Sequence, residues 1–543
     1  MSLARSSLFQ ALMGAVAFLG TNGPARSDWP SAGADLQNSR YQSVGNQIRS
    51  QTVGKLKLKW TFATDGDVTA HPTVDGDFLY FADSAAPSAP PPAPPTPGFL
   101  YKVNKNTGAL VWKRPISDYT GIPGDSARGS PAVAGGLLIL GNLIGRNIPL
   151  FGQAVPPSTP ARVFALNKNT GNPVWSTRVD QTDLAFVTQS PIVFNDTVYV
   201  GVAANEEVIA AFKSKADWQW QFRSSAVALD VKTGKIKWQT FMIPPQYAGA
   251  GIWGSTGAID QKNRQIIMTT GNNTMVSQSE IDCRSSQQQP PSTCSNPANF
   301  VDAVVALDLD TGAIKWVNRG LDFDTYNIAC GLVTPGFSIP IPGALFLTPG
   351  YPDNCPYPLN SRLTGPDWDF AQGAMLLGDD LVGAGQKSGV YWVFNRKTGA
   401  LVWRNQIVPG GITGGMQWGS AFDGSRIFVA NANSGSGRQG GPGPGVGGWA
   451  AMDRKTGAVL WTKPDPMGSR AEAAVSATND VVFGCNLAGT MFAMHAQTGA
   501  TLWSYDSGGT CNAAASISDD MVFWGSGNFS GFGTPKKIFA FGL

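Results

Sequence analysis

The sequence predicts an all-β protein folded as an eight-bladed propeller. Three observations carry that expectation: an eleven-residue pattern that keeps returning, a composition rich in turn-forming residues, and chain ends that hold complementary halves of one repeat. The pattern is clearest at residues 228–238, Ala-Leu-Asp-Val-Lys-Thr-Gly-Lys-Ile-Lys-Trp. Written Ala-x-Asp-x-x-Thr-Gly-x-x-x-Trp, it returns at 306–316 and 451–461, and with Asn for Asp at 165–175. Three looser copies hold Asn104, Thr107, Gly108 and Trp112; Val393, Asn395, Thr398, Gly399 and Trp403; and Ala493, His495, Thr498, Gly499 and Trp503.

Each copy reads as a hairpin. Alternating apolar residues before the Asp or Asn suit a strand with one buried face, the Thr-Gly pair supplies a turn with a tolerated positive φ, and the run to Trp is a second strand. Returning at intervals of 42 to 87 residues, such units are one supersecondary module each, with variable loops between them. A single hairpin buries too little surface to stand alone, so the modules must pack on one another.

The ends decide between an open stack and a closed ring. Residues 56–60, Leu-Lys-Leu-Lys-Trp, resemble the second half of a repeat, and residues 538–541, Ile-Phe-Ala-Phe, resemble a first half without its Trp. Together they make an eighth repeat. A propeller closed by pairing strands from its two termini leaves no long unpaired edge, whereas an open solenoid needs no complementary ends.

With Gly 65, Pro 38 and only 14% charged residues among 543, the chain suits strands joined by many turns and long loops. Residues 8–19 form an apolar run of about twelve residues after Arg5, too short to cross a bilayer core of about 30 Å. Ala25 and Ser27 fit the small positions of a cleavage site before Asp28, so residues 1–27 are expected to be a secretory signal peptide, with a membrane anchor as the weaker alternative. Residues 28–543 are then one repeat domain. Cleavage removes Arg5 and Arg26 and no acid, lowering the net charge from +3 to +1. That balance gives no reason to expect nucleic acid or an anionic membrane as partner.

Six cysteines fall in three neighbouring sets, Cys283 with Cys294, Cys330 with Cys355, and Cys485 with Cys511. In an exported chain these are most simply three disulfides, although six cysteines allow fifteen connectivities. There is no Cys-x-x-Cys-His, hence no site for covalent c-type haem. His495 occupies the Asp position of a repeat turn and is expected to be structural. The Pro-rich stretch 87–97 and the Gly-rich stretch 433–448 read as loops on the scaffold.

The repeat resembles the tryptophan-docking motif of the pyrroloquinoline quinone (PQQ) dehydrogenases, eight-bladed propellers of the bacterial periplasm, over the whole mature chain. Fold is the safer implication, because related propellers without a quinone serve as outer-membrane assembly scaffolds and binding proteins. Local stretches resemble the quinone site of the alcohol-oxidising members, in the family's order. Asp125-Ser126-Ala127-Arg128-Gly129 is similar to the segment whose arginine reaches the cofactor, here Arg128, a fixed cation with several donors. Thr188, in Thr-Gln-Ser-Pro, resembles the residue holding a PQQ carboxylate. Gly201 to Glu206 resembles the run whose glutamate binds the metal, placing that role on Glu206 with adjacent Glu207 as competitor.

Trp253, in Ile-Trp-Gly, resembles the stacking floor under the flat cofactor, and Asn272, in Thr-Gly-Asn, resembles the amide ligand. A carboxylate and an amide oxygen, completed by cofactor atoms, form a hard-donor set suited to Ca²⁺. Asp369, in Asp-Trp-Asp-Phe-Ala, resembles the general base that takes the hydroxyl proton; Asp367 and Asp324 compete for that role. Ala371 stands where lanthanide-using relatives carry a further aspartate, which implies calcium. Lys387, in Gly-Gln-Lys-Ser-Gly, resembles the lysine that touches the quinone.

Two departures matter. The chain lacks the adjacent cysteines that many methanol and ethanol oxidisers place over the quinone, and the long insert between Trp316 and Asp367, with Cys330 and Cys355, looks more like the polyvinyl-alcohol-dehydrogenase-like branch. Members of that branch often carry a haem domain, so its absence implies a separate electron acceptor, such as cytochrome c. The resemblance therefore implies a periplasmic oxidation of a secondary or bulky alcohol by hydride transfer to PQQ. A non-enzymatic envelope scaffold or ligand-binding propeller is the rival expectation, and it has no need to bring Glu206, Asn272 and Asp369 together.

Overall fold

In every full copy of the repeat, the Asp or Asn side chain folds back over its own turn. Asp230 Oδ1 accepts from the backbone N–H of Lys232 (3.2 Å) and Thr233 (2.8 Å) and from the Thr233 hydroxyl (2.7 Å). Asn104, Asn167, Asp308, Asn395 and Asp453 receive the same backbone pair. At the seventh turn His495 Nδ1 accepts from Gln497 N–H at 3.2 Å, so this histidine is a turn residue. Gly234 then takes φ +69°. A Cβ there would lie 2.5 Å from the Trp175 ring of the preceding repeat, so the turn and the docked indole both demand glycine.

Docking is completed by the indole N–H, which donates to the carbonyl just after the Asp position of the next repeat. Trp175 donates to Val231 O (3.0 Å), Trp238 to Leu309 O (3.0 Å), Trp316 to Arg396 O (3.1 Å) and Trp403 to Arg454 O (3.0 Å). Trp60, Trp112 and Trp461 make the same bond to Lys105, Lys168 and Ala496. Trp503 closes the circle on Leu56 O at 3.2 Å.

The computed structural model describes residues 28–84, 96–143, 160–287, 292–331, 352–357, 363–411, 414–433, 446–527 and 536–543. The expected signal segment 1–27, nearly all of the Pro-rich stretch, most of the Gly-rich stretch and much of the 320–364 insert lie outside them. The described strands form eight four-stranded blades, one of them extended by a fifth strand. The blade made of Ile192–Phe194, Thr197–Gly201, Ser225–Asp230 and Ile236–Phe241, in spatial order, is typical. The last blade consists of Ser516–Ser518, Met521–Gly525 and Lys537–Gly542, with Lys57–Ala63 as its fourth strand. That antiparallel pairing, Trp60 opposite Ala540, is the predicted closure of the ring.

One local expectation is corrected. The strand before each turn is buried on both faces, as at Ala226, Val227, Ala228 and Leu229, all 0% exposed, because each blade is sandwiched between two others. Only the outermost strand faces water, with Ile236 and Phe241 exposed.

Residues 29–42 run along the innermost strands, a course no repeat pattern reveals. Trp29 pairs with Val74, and Pro30, Leu36, Gln37, Ser39 and Arg40 offer carbonyls to Val133, Ile259, Leu376, Phe422 and Ala477 of five further blades. Gln42 Nε2 reaches Ile517 O of the last blade at 3.2 Å. Fully buried Arg40 is fixed by Ser255 Oγ (2.5 Å) and Ser420 O (3.3 Å), and its Nε lies 3.3 Å from His71 Nε2. Burial, and then the Arg40 charge, hold the His71 imidazole well below its usual range, neutral at pH 7. The expected disulfides all form: Cys283 with Cys294, Cys330 with Cys355, and Cys485 with Cys511.

Candidate active site

The segments leading into innermost strands end at the axis, and the candidate residues stand on them or on the turn of a second strand. Arg128 precedes Ala132–Ala134, Thr188 precedes Ile192–Phe194, Asp369 precedes Met375–Leu377, and Lys387 lies between Leu381–Gly385 and Val390–Asn395. Sequence-distant groups therefore meet.

Asp369 and Lys387 form the centre. Lys387 Nζ lies 2.6 Å from Asp369 Oδ2 and 3.0 Å from Asp367 Oδ1, all three side chains being largely buried. Asp369 Oδ1 accepts the Asn272 backbone N–H at 2.6 Å. Asn272 Nδ2 donates to the carbonyls of Asn273 (3.0 Å) and Tyr326 (2.7 Å), which leaves its Oδ1 as an acceptor. Gly271 permits this approach: a Cβ there would sit 2.3 Å from Asp369 Oδ1. Lys387 Nζ also lies 5.3 Å from the centroid of Trp253.

The acids outnumber the cation. Glu207, Asp302, Asp324 and Asp367 each feel Asp369, and Glu207, Asp367 and Asp369 feel Lys387. Burial pushes Glu207 up to about 7, Lys387 pulling it down and Asp369 and Asp324 raising it. Asp324 is pushed up to about 6, chiefly by burial, against donors from Trp368 and Asp367. Burial alone would lower Lys387, but Asp367, Asp369 and Glu207 hold it well above its usual range.

Glu206 is placed differently. Its carboxylate accepts the backbone N–H of Gln221 (3.0 Å) and of Phe222 (3.0 Å), and burial raises it to about 7. The two glutamates sit at the start of the helix Glu206–Ile209, where consecutive side chains point about 100° apart. One carboxylate ties down the backbone, while the other belongs to the acid cluster.

Arg128 and Thr188 border an axial cavity of about 40 Å³ with His71, Ser130, Ser255 and Trp418. Ser130 Oγ and Thr188 Oγ1 are buried there without a hydrogen-bond partner among the described residues. The Arg128 guanidinium stacks 4.0 Å from the Trp418 ring, which meets Trp253 edge-on at 5.2 Å. Burial lowers Arg128 to about 10, against the pull of Glu472, so it remains charged. Trp418 thus links the Arg128 side of the site to the Lys387 side. It is missing from the sequence-based residue set, although Trp418-Gly419 repeats the Trp253-Gly254 dipeptide outside the docking series.

The model of the PQQ_2 family, described as "Outer membrane protein assembly factor BamB", matches residues 57–318 and 387–528. The chain belongs to this family. Its match accounts for the repeat scaffold but leaves 319–386 uncovered, the stretch that carries Asp324, Asp367 and Asp369. The chain is similar to polyvinylalcohol dehydrogenase of Sphingopyxis sp. (strain 113P3), 25% identical over 92% of this chain and 70% of that protein. Polyvinylalcohol dehydrogenase of a Pseudomonas sp. is also 25% identical, over 88% and 67%. The crystal structure of quinohemoprotein alcohol dehydrogenase from Comamonas testosteroni shares the fold, with TM-score 0.65 and 18% identity over 95% of this chain and 80% of that one. Resemblance to the PQQ-dependent alcohol dehydrogenases and their polyvinyl-alcohol branch thus rests on relatives as well as motifs.

Proposed function

We propose that this PQQ_2 propeller is a PQQ- and Ca²⁺-dependent alcohol dehydrogenase that oxidises a secondary or bulky alcohol to the carbonyl compound. The observation that carries this reading is the convergence of Asp369, Lys387, Asn272 and Trp253 at the axis. An assembly scaffold has no use for four buried acids, Asp302, Asp324, Asp367 and Asp369, gathered in one site, and burying them costs stability.

The residues present fit the cofactors. Orphaned Ser130 Oγ and Thr188 Oγ1 beside charged Arg128 suit carboxylates of PQQ, and Trp253 and Trp418 offer flat faces. Among the described residues no three acidic, His or Cys groups form a ready cation cage. A metal held by one carboxylate, the Asn272 amide oxygen and cofactor atoms requires none. Of the two adjacent glutamates, Glu207 is the better ligand, because Glu206 is committed to the Gln221 and Phe222 amides. Buried Ala371 adds no oxygen donor, which favours Ca²⁺ over a higher-charged ion.

When bound, PQQ supplies the two-electron acceptor for the carbinol hydrogen, and the metal ion polarises its oxygens. The chain's own part is orientation and proton handling. Asp369, fixed at both oxygens by Asn272 N–H and Lys387, takes the hydroxyl proton; Lys387 remains an ammonium beside it. Substrate class follows the polyvinylalcohol relatives, whose named polymer bears secondary alcohols.

Three disulfides favour the periplasm, and among the described residues no helix is long and apolar enough to cross a membrane. The electrons then leave to a separate acceptor, such as cytochrome c. Purified protein loaded with PQQ and Ca²⁺ should bleach a redox dye with secondary alcohols. Failure to bind PQQ, together with no bleaching by any alcohol from ethanol to polymer, contradicts the reading.

A further inference from the structure

Asp302 is anomalous on three counts. It is 0% exposed, it holds φ +42° although it bears a side chain, and neither carboxylate oxygen receives a hydrogen bond from an N–H or hydroxyl donor of the described chain. A buried, strained acid that no N–H or hydroxyl donor of the described chain reaches does not persist for its contribution to stability. Its backbone is pinned on both sides, Asp302 N–H donating to Gly271 O (3.0 Å) and Gly320 N–H to Asp302 O (2.7 Å). The side chain is thereby set against a second acid, Asp324.

Asp324 is an acceptor in full use. Its Oδ1 accepts Asp367 N–H at 3.1 Å and its Oδ2 accepts Trp368 N–H at 2.6 Å. Its backbone carbonyl accepts Asn273 N–H at 2.9 Å. The residue therefore ties the segment ending in Asp369 to the segment carrying Asn272. Gly365 is shaped to this contact: a Cβ there would fall 1.9 Å from Asp324 Oδ1.

Two touching carboxylates are joined only by a proton between them. Asp324 uses its oxygens as acceptors toward two amides, so the proton belongs on Asp302. We propose that Asp302 is a positioning residue: a neutral carboxylic acid that donates to Asp324 and so fixes the backbone bearing Asp369. Burial first, then Asp324 and Asp369, hold the Asp302 carboxyl well above the usual carboxylate range, in accord with this assignment. The hydrogen-bonded pair is a property of the folded chain; its effect on turnover rests on the alcohol-oxidation reading above.

The test has an arm for each. Infrared difference spectra of wild type against Asp302→Asn at pH 7, without cofactor, should show the carbonyl band of one protonated carboxylic acid lost in the variant. No such band overturns the proposal whether or not the protein oxidises alcohols. In the loaded enzyme, Asp302→Asn keeps a neutral donor toward Asp324 and should retain kcat within about threefold, with a pH profile of kcat/KM superposing on wild type. Asp302→Gly suits the positive φ but removes the donor, and should lower kcat about 10- to 100-fold with KM little changed. Wild-type kcat in Asp302→Gly, or an equal loss in Asp302→Asn, overturns it. If Asp302→Gly does not fold, the infrared spectra and the Asp302→Asn profile still decide. Should wild type bind no PQQ and oxidise nothing, the functional reading fails while the infrared result stands on its own.

Discussion

The backbone N–H of Asn272 donates to Asp369 Oδ1 at 2.6 Å, across 97 residues of sequence. One contact thus joins the proposed amide ligand to the proposed base, and it fixes which oxygen of Asp369 is left to Lys387.

Replacing Asp369 by Asn keeps the shape and removes the basic oxygen. Turnover of the loaded enzyme should fall about 10²- to 10⁴-fold, while PQQ affinity, followed by quenching of tryptophan fluorescence, stays within about threefold. Unchanged turnover would move the base to Asp324 or Asp367.

The adjacent glutamates should separate cleanly. Glu207→Gln should weaken Ca²⁺ binding in the PQQ complex by an order of magnitude or more, read by calorimetric titration, and leave the melting temperature nearly unchanged. Glu206→Gln sets an NH₂ group where two backbone amides, Gln221 and Phe222, need acceptors and should cost about 1 to 3 kcal/mol of stability, with Ca²⁺ affinity retained. The reverse pattern would return the ligand role to Glu206.

The docking ring makes a stability prediction. Trp238→Ala removes packing over Gly312 and the bond to Leu309 O, and should cost about 3 to 5 kcal/mol. Trp238→Phe should cost less. Gly312→Ala should also destabilise, because its Cβ would lie 2.5 Å from the Trp238 ring at φ +69°. Urea unfolding of the three variants gives the ranking.

Asp83 should impose a pH dependence remote from the site. Four donors, Asp65, Gly66 and Phe99 N–H and the Tyr101 hydroxyl, reach its carboxylate, yet burial pushes it up to about 6 from 3.8. Between those values the folded chain keeps a proton that the unfolded chain has lost. This group's contribution is therefore greatest below about pH 4 and falls as pH rises to about 6, by up to about 3 kcal/mol. Asp83→Asn removes the titration, so its stability relative to wild type should climb over that window; a constant difference would contradict the assignment.

The ring was legible because its parts are local: a turn-capping Asp, a glycine that must be bare, and a tryptophan four residues on. Pairing of the two termini was legible for the same reason, since Trp60 and Ala540 are halves of one repeat. Residues 29–42 were not, because their partners are spread over seven blades and obey no period. In the site, short motifs led to Arg128, Thr188, Trp253, Asn272, Asp369 and Lys387, which the fold brings to the axis. Glu206 and Glu207 could not be separated in sequence, since their difference is one step of helical rotation. Asp302 bears no motif at all; only its burial, its strained backbone and its missing donors single it out.

The most direct measurement is anaerobic mixing of the PQQ- and Ca²⁺-loaded protein with an excess of a secondary alcohol while the cofactor's absorption is followed. Alcohol oxidation at this axial site requires loss of the oxidised spectrum, one equivalent per chain, in wild type and its near-absence in Asp369→Asn. A loaded wild type whose spectrum stays unchanged with primary, secondary and polymeric alcohols alike would contradict it.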